Sequence, residues 1–174
     1  MRKAPTANSV AIFLCLATYG LTASPPAAAN ATNGTLTVDG KPVQITNAYA
    51  YVDKTFNEGK DAVVIVLSDA PVPGDAVQDN YARKKLVESG TLHYVELMVG
   101  SDKKAIHYEV QHNRFGVMMQ PGGDDSDHVF EATTLDGTTI TGRTRTTSSQ
   151  KSFDDVPYSY DITFSARIAP AKQP

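Results

Sequence analysis

The residues of this chain that could do chemistry are most concentrated in one short acidic segment. After a glycine pair at 122 and 123, the sequence runs through three aspartates to a histidine. Carboxylate oxygens are the hard ligands that calcium prefers. The segment lacks the ligand spacing of an EF-hand, and the same residue types also form solvated turns. A plain acidic turn is the interpretation we favour, and the alternative is a metal site formed by Asp124, Asp125, Asp127 and His128.

Histidines offer a second route to metal chemistry. His107 and His112 are an odd number of residues apart, so they would lie on opposite faces of a regular strand. The sequence contains no H-x-H or H-E-x-x-H motif, and its other histidines are His93 and His128. We therefore predict no catalytic zinc site and no bound cofactor, with calcium at the acidic segment as the one alternative.

Two pairs of side chains could bind a ligand directly. Arg143 and Arg145 would share one face of a strand, where their guanidinium groups could hold an anion. The same cations suit a solvated edge strand, which is the interpretation we favour. Tyr49 and Tyr51 would also share a face and could stack on a sugar, although strand tyrosines are usually half-buried packing residues.

Nucleophilic and carboxylate catalysis find little support in the sequence. There is no G-x-S-x-G motif, and the single cysteine, Cys15, lies close to the N-terminus. Asp154 and Asp155 are adjacent, so in a strand they would point apart, whereas glycoside hydrolysis needs facing carboxylates. We lean towards a protein that is not an enzyme.

Residues 1–31 have the pattern of a secretory signal peptide. Arg2 and Lys3 precede a short apolar run, and small residues ending in Ala29-Asn30-Ala31 follow it. The run is well short of the roughly 20 residues that span a bilayer, so we predict cleavage after Ala31 and no membrane span afterwards. Because the only cysteine lies in this segment, a bacterial periplasmic or secreted protein fits better than a disulfide-rich eukaryotic one.

Residues 32–174 are predicted to form a single β-rich domain with a short C-terminal tail. A chain of this length can bury a core of its own. Loss of residues 1–31 removes two of the 16 basic side chains and none of the 19 acidic ones, so the mature chain is acidic. An acidic chain without a basic cluster argues against a nucleic-acid partner.

Short strands joined by tight turns must position these side chains. Asp-Gly pairs at 39–40 and 136–137 are typical of hairpin turns, and the first of them would place Leu36 opposite Val43. Residues 63–67 are apolar without alternation, which indicates a strand covered on both faces. The last strand alternates from Tyr158 to Ile168, with the apolar side facing the core.

One helix and one further hairpin complete the predicted fold. Residues 75–90 have helical spacing, with Asp75 as the N-cap and Gly90 at the stop. A hairpin around residues 100–103 would place Glu96 opposite His107. The expected fold is an antiparallel β-sandwich or partly open barrel of about eight strands with one surface helix.

Short turn and strand segments carry a resemblance, namely residues 34–41, 48–50, 67–69, 142–143 and 163–166. In these segments the chain resembles a group of uncharacterised secreted bacterial proteins, and the resemblance would extend over most of the mature chain. It implies export and a single domain but no activity.

These observations predict an exported protein of the bacterial envelope that acts as a non-catalytic binding or interaction domain. Its partner would be another envelope protein or a small ligand. The alternative is a metal-assisted hydrolase, or a calcium-stabilised domain, that uses the segment from Asp124 to His128.

Overall fold

The computed structural model describes residues 30–57, 60–116 and 127–171. Within these ranges the chain is mainly β, with ten strands and one helix. In chain order the elements are β1 (Ala31–Val38), β2 (Lys41–Ile45), β3 (Asn47–Asn57), β4 (Lys60–Ser68), α1 (Asn80–Glu88), β5 (Tyr94–Val99), β6 (Ala105–Gln111), β7 (His128–Leu135), β8 (Thr139–Thr146), β9 (Gln150–Lys151) and β10 (Pro157–Ala169).

Two groups of strands make up the sheet. Sheet I has the order β2-β1-β10-β8-β7, with the short β9 beside the start of β10. Sheet II has the order β3-β4-β5-β6. The last residues of β10, Ile168 and Ala169, pair in parallel with β3 and join the two groups. The described strands do not close into a barrel, and they number ten where the sequence predicted about eight.

Sheet II is covered by apolar residues on both faces, and β4 shows this most clearly. Ile65 and Leu67 belong to the core that sheets I and II share. Val64 and Val66 belong to a second cluster, which includes residues of α1 and of the loops beside it. All four side chains are fully buried, which confirms the predicted doubly covered strand.

The strand pattern of sheet I is also as predicted. Leu36 pairs with Val43 across the Asp39-Gly40 turn. In β10 the side chains from Tyr158 to Ala166 alternate between buried and solvent-facing positions, with the predicted set inside. Period-two alternation therefore fixed the inner face of the central strand correctly.

The predicted helix start was wrong. Helix α1 begins at Asn80, and its N-cap is Asp79, whose side chain accepts a hydrogen bond from the backbone N–H of Ala82. Asp75 lies in the turns that precede the helix. The helix ends as predicted, because Gly90 takes a φ of +73° and its N–H donates to the carbonyl of Val87.

The predicted register of the hairpin between β5 and β6 was also wrong. Glu96 lies opposite Glu109, and His107 lies opposite Met98. An irregularity after Met98 shifts the pairing, and the backbone N–H of Gly100 bonds to the carbonyl of Lys104 rather than that of Lys103. The loop is therefore longer than the one assumed from the sequence.

Phe164→Ala should destabilise the protein by ~3 to 5 kcal/mol, because it opens a cavity in the shared core. Phe164 is buried and stacks on Phe130, with ring centroids 6.2 Å apart. Thr163→Ala, on the exposed side, should cost about 1 kcal/mol or less, since it removes one hydrogen bond to the carbonyl of Asn33. Denaturant unfolding of both variants measures the difference, and a larger loss from Thr163→Ala would invert the assigned faces of β10.

Candidate functional site

Polar residues converge at one end of sheet II because three of its strands end in register there. Ser68 pairs with Tyr94, and Tyr94 pairs with Gln111. Asp69 follows Ser68 in the chain and His93 precedes Tyr94, so these two residues lie side by side at this end of the sheet. The strand ends thus gather ionisable groups that lie far apart in the sequence.

Asp69 and His93 form a tight ion pair at this end. His93 Nδ1 lies 2.7 Å from Asp69 Oδ2, and its backbone N–H donates to Asp69 Oδ1 at 2.8 Å. His93 Nε2 lies 3.4 Å from the side-chain oxygen of Asn113. The hydrogen bond to Asp69 raises the pKa of His93, so the imidazole favours its charged form.

His112 stacks on His93 but keeps the opposite protonation preference. The two ring centroids are 4.1 Å apart. Burial and the neighbouring His93 lower the pKa of His112 to about 4. Its Nδ1 accepts a hydrogen bond from the backbone N–H of Arg114, so the proton of the neutral ring lies on Nε2. The raised pKa of His93 and the lowered pKa of His112 thus give the two stacked rings opposite protonation preferences.

A cleft of about 270 Å³ lies beside this pair, between α1 and residues 111–116. Lys84 and Glu88 line the helix side. Asn113, together with Gln111 and His112, lines the opposite side. The apolar side chains of Val87 and Phe115, both buried, complete the lining. We call this space the α1 cleft.

A buried cluster of charges lies directly behind the helix wall of the α1 cleft. Arg83 is fully buried and forms an ion pair with the buried Glu96. Glu109, opposite Glu96 in the sheet, accepts hydrogen bonds from the Tyr94 hydroxyl at 3.2 Å and from Gln111 Nε2 at 2.6 Å. Burial raises the pKa of Glu96 to about 7, even though Arg83 opposes the shift.

The arginines singled out in the sequence lie on the outer face of sheet I. Arg143 makes two hydrogen bonds to Asp161, of 2.8 and 2.5 Å. Arg145 lies 3.8 Å from Glu131. Both guanidinium groups thus have carboxylate partners on neighbouring strands. Their ability to hold an anion stays a prediction.

The two tyrosines share a face of β3, as expected, but they serve in packing. Tyr51 is buried in the cluster that α1 covers, and burial raises its pKa to about 12. The Tyr49 hydroxyl accepts a hydrogen bond from the backbone N–H of Val72 at 3.0 Å. Little of the Tyr51 ring is left for a sugar to stack on.

The predicted metal site is described only in part. Asp124 and Asp125 lie outside the described residues. His128 is buried, and its Nδ1 lies 2.8 Å from the hydroxyl of Tyr160, while its ring stacks on Tyr108. In residues 30–57, 60–116 and 127–171, no group of three or more His, Cys, Asp or Glu side chains could hold a metal ion. Calcium binding by the acidic segment stays a prediction.

Sequence reasoning missed the α1 cleft and the charge cluster behind it. Glu96 interrupts the apolar run of β5, and that charge within a buried strand was a usable signal. Asp69 and His93 each lie next to an apolar strand in the sequence. This pattern shows where a strand ends, but it does not show which strand ends lie next to each other in the sheet. Asn113 reaches His93 only in the observed register of β5 and β6, and that register was predicted incorrectly.

Comparisons with known protein families, with curated proteins and with solved structures each found no match to this chain. Among the described helical residues, none form a helix long and apolar enough to cross a membrane. The α1 cleft itself must therefore carry the functional argument.

Arg83→Met should destabilise the protein by ~3 to 5 kcal/mol, because it leaves Glu96 buried without its counter-charge. Lys85→Met, on the exposed face of the same helix, should cost about 1 kcal/mol or less, since it removes only an exposed contact with the Tyr81 ring. Urea unfolding at pH 7 compares them. The double variant Arg83→Met, Glu96→Leu should recover much of the lost stability. If Arg83→Met and Lys85→Met proved equally stable, the Arg83–Glu96 ion pair would not anchor α1.

His112→Phe should remove a loss of stability that the wild-type protein shows on acidification. The unfolded chain binds a proton at His112 near pH 6.5, whereas the folded chain resists until about pH 4, so stability falls as the pH drops between these values. His93→Asn should make the loss of stability on acidification larger. Because the pKa of His93 is raised in the folded chain, His93 stabilises the fold at acid pH, and this stabilisation is lost as the pH rises. Urea unfolding at pH 7 and pH 5 measures how the free energy of unfolding of each variant changes with pH. The same change in both variants would contradict the opposite pKa shifts of the two histidines.

Proposed function

We propose that this protein is exported to the bacterial envelope, periplasmic or secreted, and acts there as a non-catalytic binding domain whose site is the α1 cleft. Export is supported by the basic start, short apolar run and small-residue exit of residues 1–31. Binding is supported by the cleft.

The observation that carries the proposal is that the polar groups of the α1 cleft are held in place before any ligand arrives. Gln111 is buried and fixed by Glu109, and Asn113 is bonded to His93, which Asp69 in turn orients. Side chains fixed in this way lose little conformational freedom on binding, so more of the interaction energy becomes affinity. A small concave site with a few convergent polar groups is the usual form of a ligand site.

Lys84 can serve a ligand although it also has an internal partner. Its ammonium group lies 3.7 Å from Glu109 Oε1, and its side chain remains about one-fifth exposed. Lysine carries three donors, so one contact with Glu109 leaves others for the cleft. The helix wall therefore offers a cation whose position the charge cluster restrains.

Export is tested by expressing the full chain in a bacterium and sequencing the N-terminus of the protein recovered from the envelope fraction. We expect a start at Thr32 and recovery without detergent. A retained Met1, or extraction by detergent alone, would show that the leader anchors the protein.

Binding without turnover is tested by screening small polar compounds against the purified mature protein by thermal shift. We expect at least one compound to raise the melting temperature saturably. Asn113→Ala should weaken that effect, Thr37→Ala on sheet I should not, and mass spectrometry should recover the compound unchanged. Conversion of the compound, abolished by chelator and by Asp124→Asn with Asp125→Asn, would replace this proposal by the metal-assisted hydrolase.

A further inference from the structure

We propose that the α1 cleft binds a short zwitterionic peptide of about two residues, with its ammonium group at Glu88, its carboxylate at Lys84 and an apolar side chain against Val87 and Phe115. This inference rests on the proposed function, because it names the ligand class of the same site.

Two opposite charges line one wall of the cleft without neutralising each other. Lys84 and Glu88 are four residues apart on α1, where such pairs often form an ion pair. Among the described residues Lys84 is paired with Glu109 instead, and Glu88 has no charged partner. The wall therefore presents a separated cation and anion, which is the complement of a zwitterion.

The place of Glu88 in the helix supports a role outside the helix. It is the last residue of α1, where the negative end of the helix dipole disfavours a carboxylate. The dipole and the carboxylate together make this end of the cleft attractive to a ligand cation. A lysine or arginine at this position would have stabilised the helix better.

The positions of Lys84 and Glu88 along the helix suit a ligand of about two residues. Residues four apart on a helix have Cβ atoms roughly 5 to 6 Å apart. Two residues of extended chain span at most about 7 Å, so the terminal charges of a dipeptide can reach both groups. A volume of about 270 Å³ also lies below the roughly 300 Å³ at which sites for drug-sized ligands begin.

The remaining lining supplies what a peptide unit and an apolar side chain require. The Asn113 oxygen is bonded to His93, which leaves its NH₂ group as a donor for a peptide carbonyl. Gln111 Nε2 is bonded to Glu109, which leaves its oxygen as an acceptor for a peptide N–H. Val87 and Phe115 line the cleft through the small part of each residue that core packing leaves exposed, 5% and 8%, and this part provides the apolar contact.

The test is calorimetric titration of the mature protein with the dipeptide alanyl-leucine and with two analogues that each lack one charge. N-acetyl-alanyl-leucine has no ammonium group, and alanyl-leucine amide has no carboxylate. We expect each analogue to bind about tenfold more weakly than the dipeptide, as for the loss of one charge-assisted hydrogen bond. Free leucine, which cannot reach both groups, should also bind more weakly.

Matched variants assign each charge of the ligand to its residue. Glu88→Gln should abolish the preference for the dipeptide over its acetylated analogue, and Lys84→Met should abolish the preference over the amide. Lys85→Met, the adjacent exposed lysine, should leave both preferences intact. Because Lys84 also faces Glu109, Lys84→Arg serves as a second variant that retains the charge and should retain the preference.

Equal binding of the dipeptide and both analogues, or no heat from alanyl-leucine at millimolar concentration, would overturn the inference. If the dipeptide fails while another compound stabilises the protein in an Asn113-dependent way, the ligand class is wrong and the proposed function stands. If no compound of any class binds the α1 cleft, the proposed function falls with it.

Discussion

The ion pair between Arg83 and Glu96 is the constraint on which the helix side of the molecule depends. Transfer of both charges out of water costs several kcal/mol each, and the cost is offset only when the charges meet and their other hydrogen-bonding groups find partners. Arg83 also donates through Nη1 to the carbonyls of Ala76 and Val77, at 3.3 and 2.5 Å. One side chain therefore ties together α1, the turns before it and β5.

Two buried carboxylates limit the registers that β5 and β6 can adopt. Glu96 and Glu109 are direct neighbours across the strands and lie on the α1 side of sheet II, while Val95 and Val110 lie on the side of the shared core. A one-residue slip of either strand would turn a carboxylate into the apolar core, where no cation is available among the described residues. Apolar alternation alone would tolerate a shift by two residues, as the incorrect sequence prediction shows. The buried charges therefore exclude one-residue slips, and the choice between registers two residues apart depends on the loop between the strands.

Much of sheet I and the doubly covered β4 could be predicted, because period-two alternation and Asp-Gly turns are local signals. The α1 cleft could not, for reasons that particular residues illustrate. Arg83 of the helix pairs with Glu96, thirteen residues further on, and no local helical pattern predicts that contact. Asp69, His93 and Asn113 are close together only because of the way β4, β5 and β6 pair. No single segment of the sequence determines that pairing. The conformation of the Gly100–Lys104 loop decided the register, and the sequence offered several tight turns there.

The two stacked histidines show how the fold gives one residue type two electrostatic roles within 4.1 Å. Asp69 supplies the carboxylate that holds the proton on His93, and the backbone N–H of Arg114 occupies the Nδ1 acceptor of His112. Burial lowers the pKa of His112, and repulsion from a charge on the neighbouring His93 lowers it further. Among the described residues that line the cleft, His112 and Asn113 on this side are neutral donors, and the charged side chains, Lys84 and Glu88, lie on the helix side. A ligand held there would meet its charged partners along α1 and its amide partners at the end of β6, which fixes the direction in which it lies.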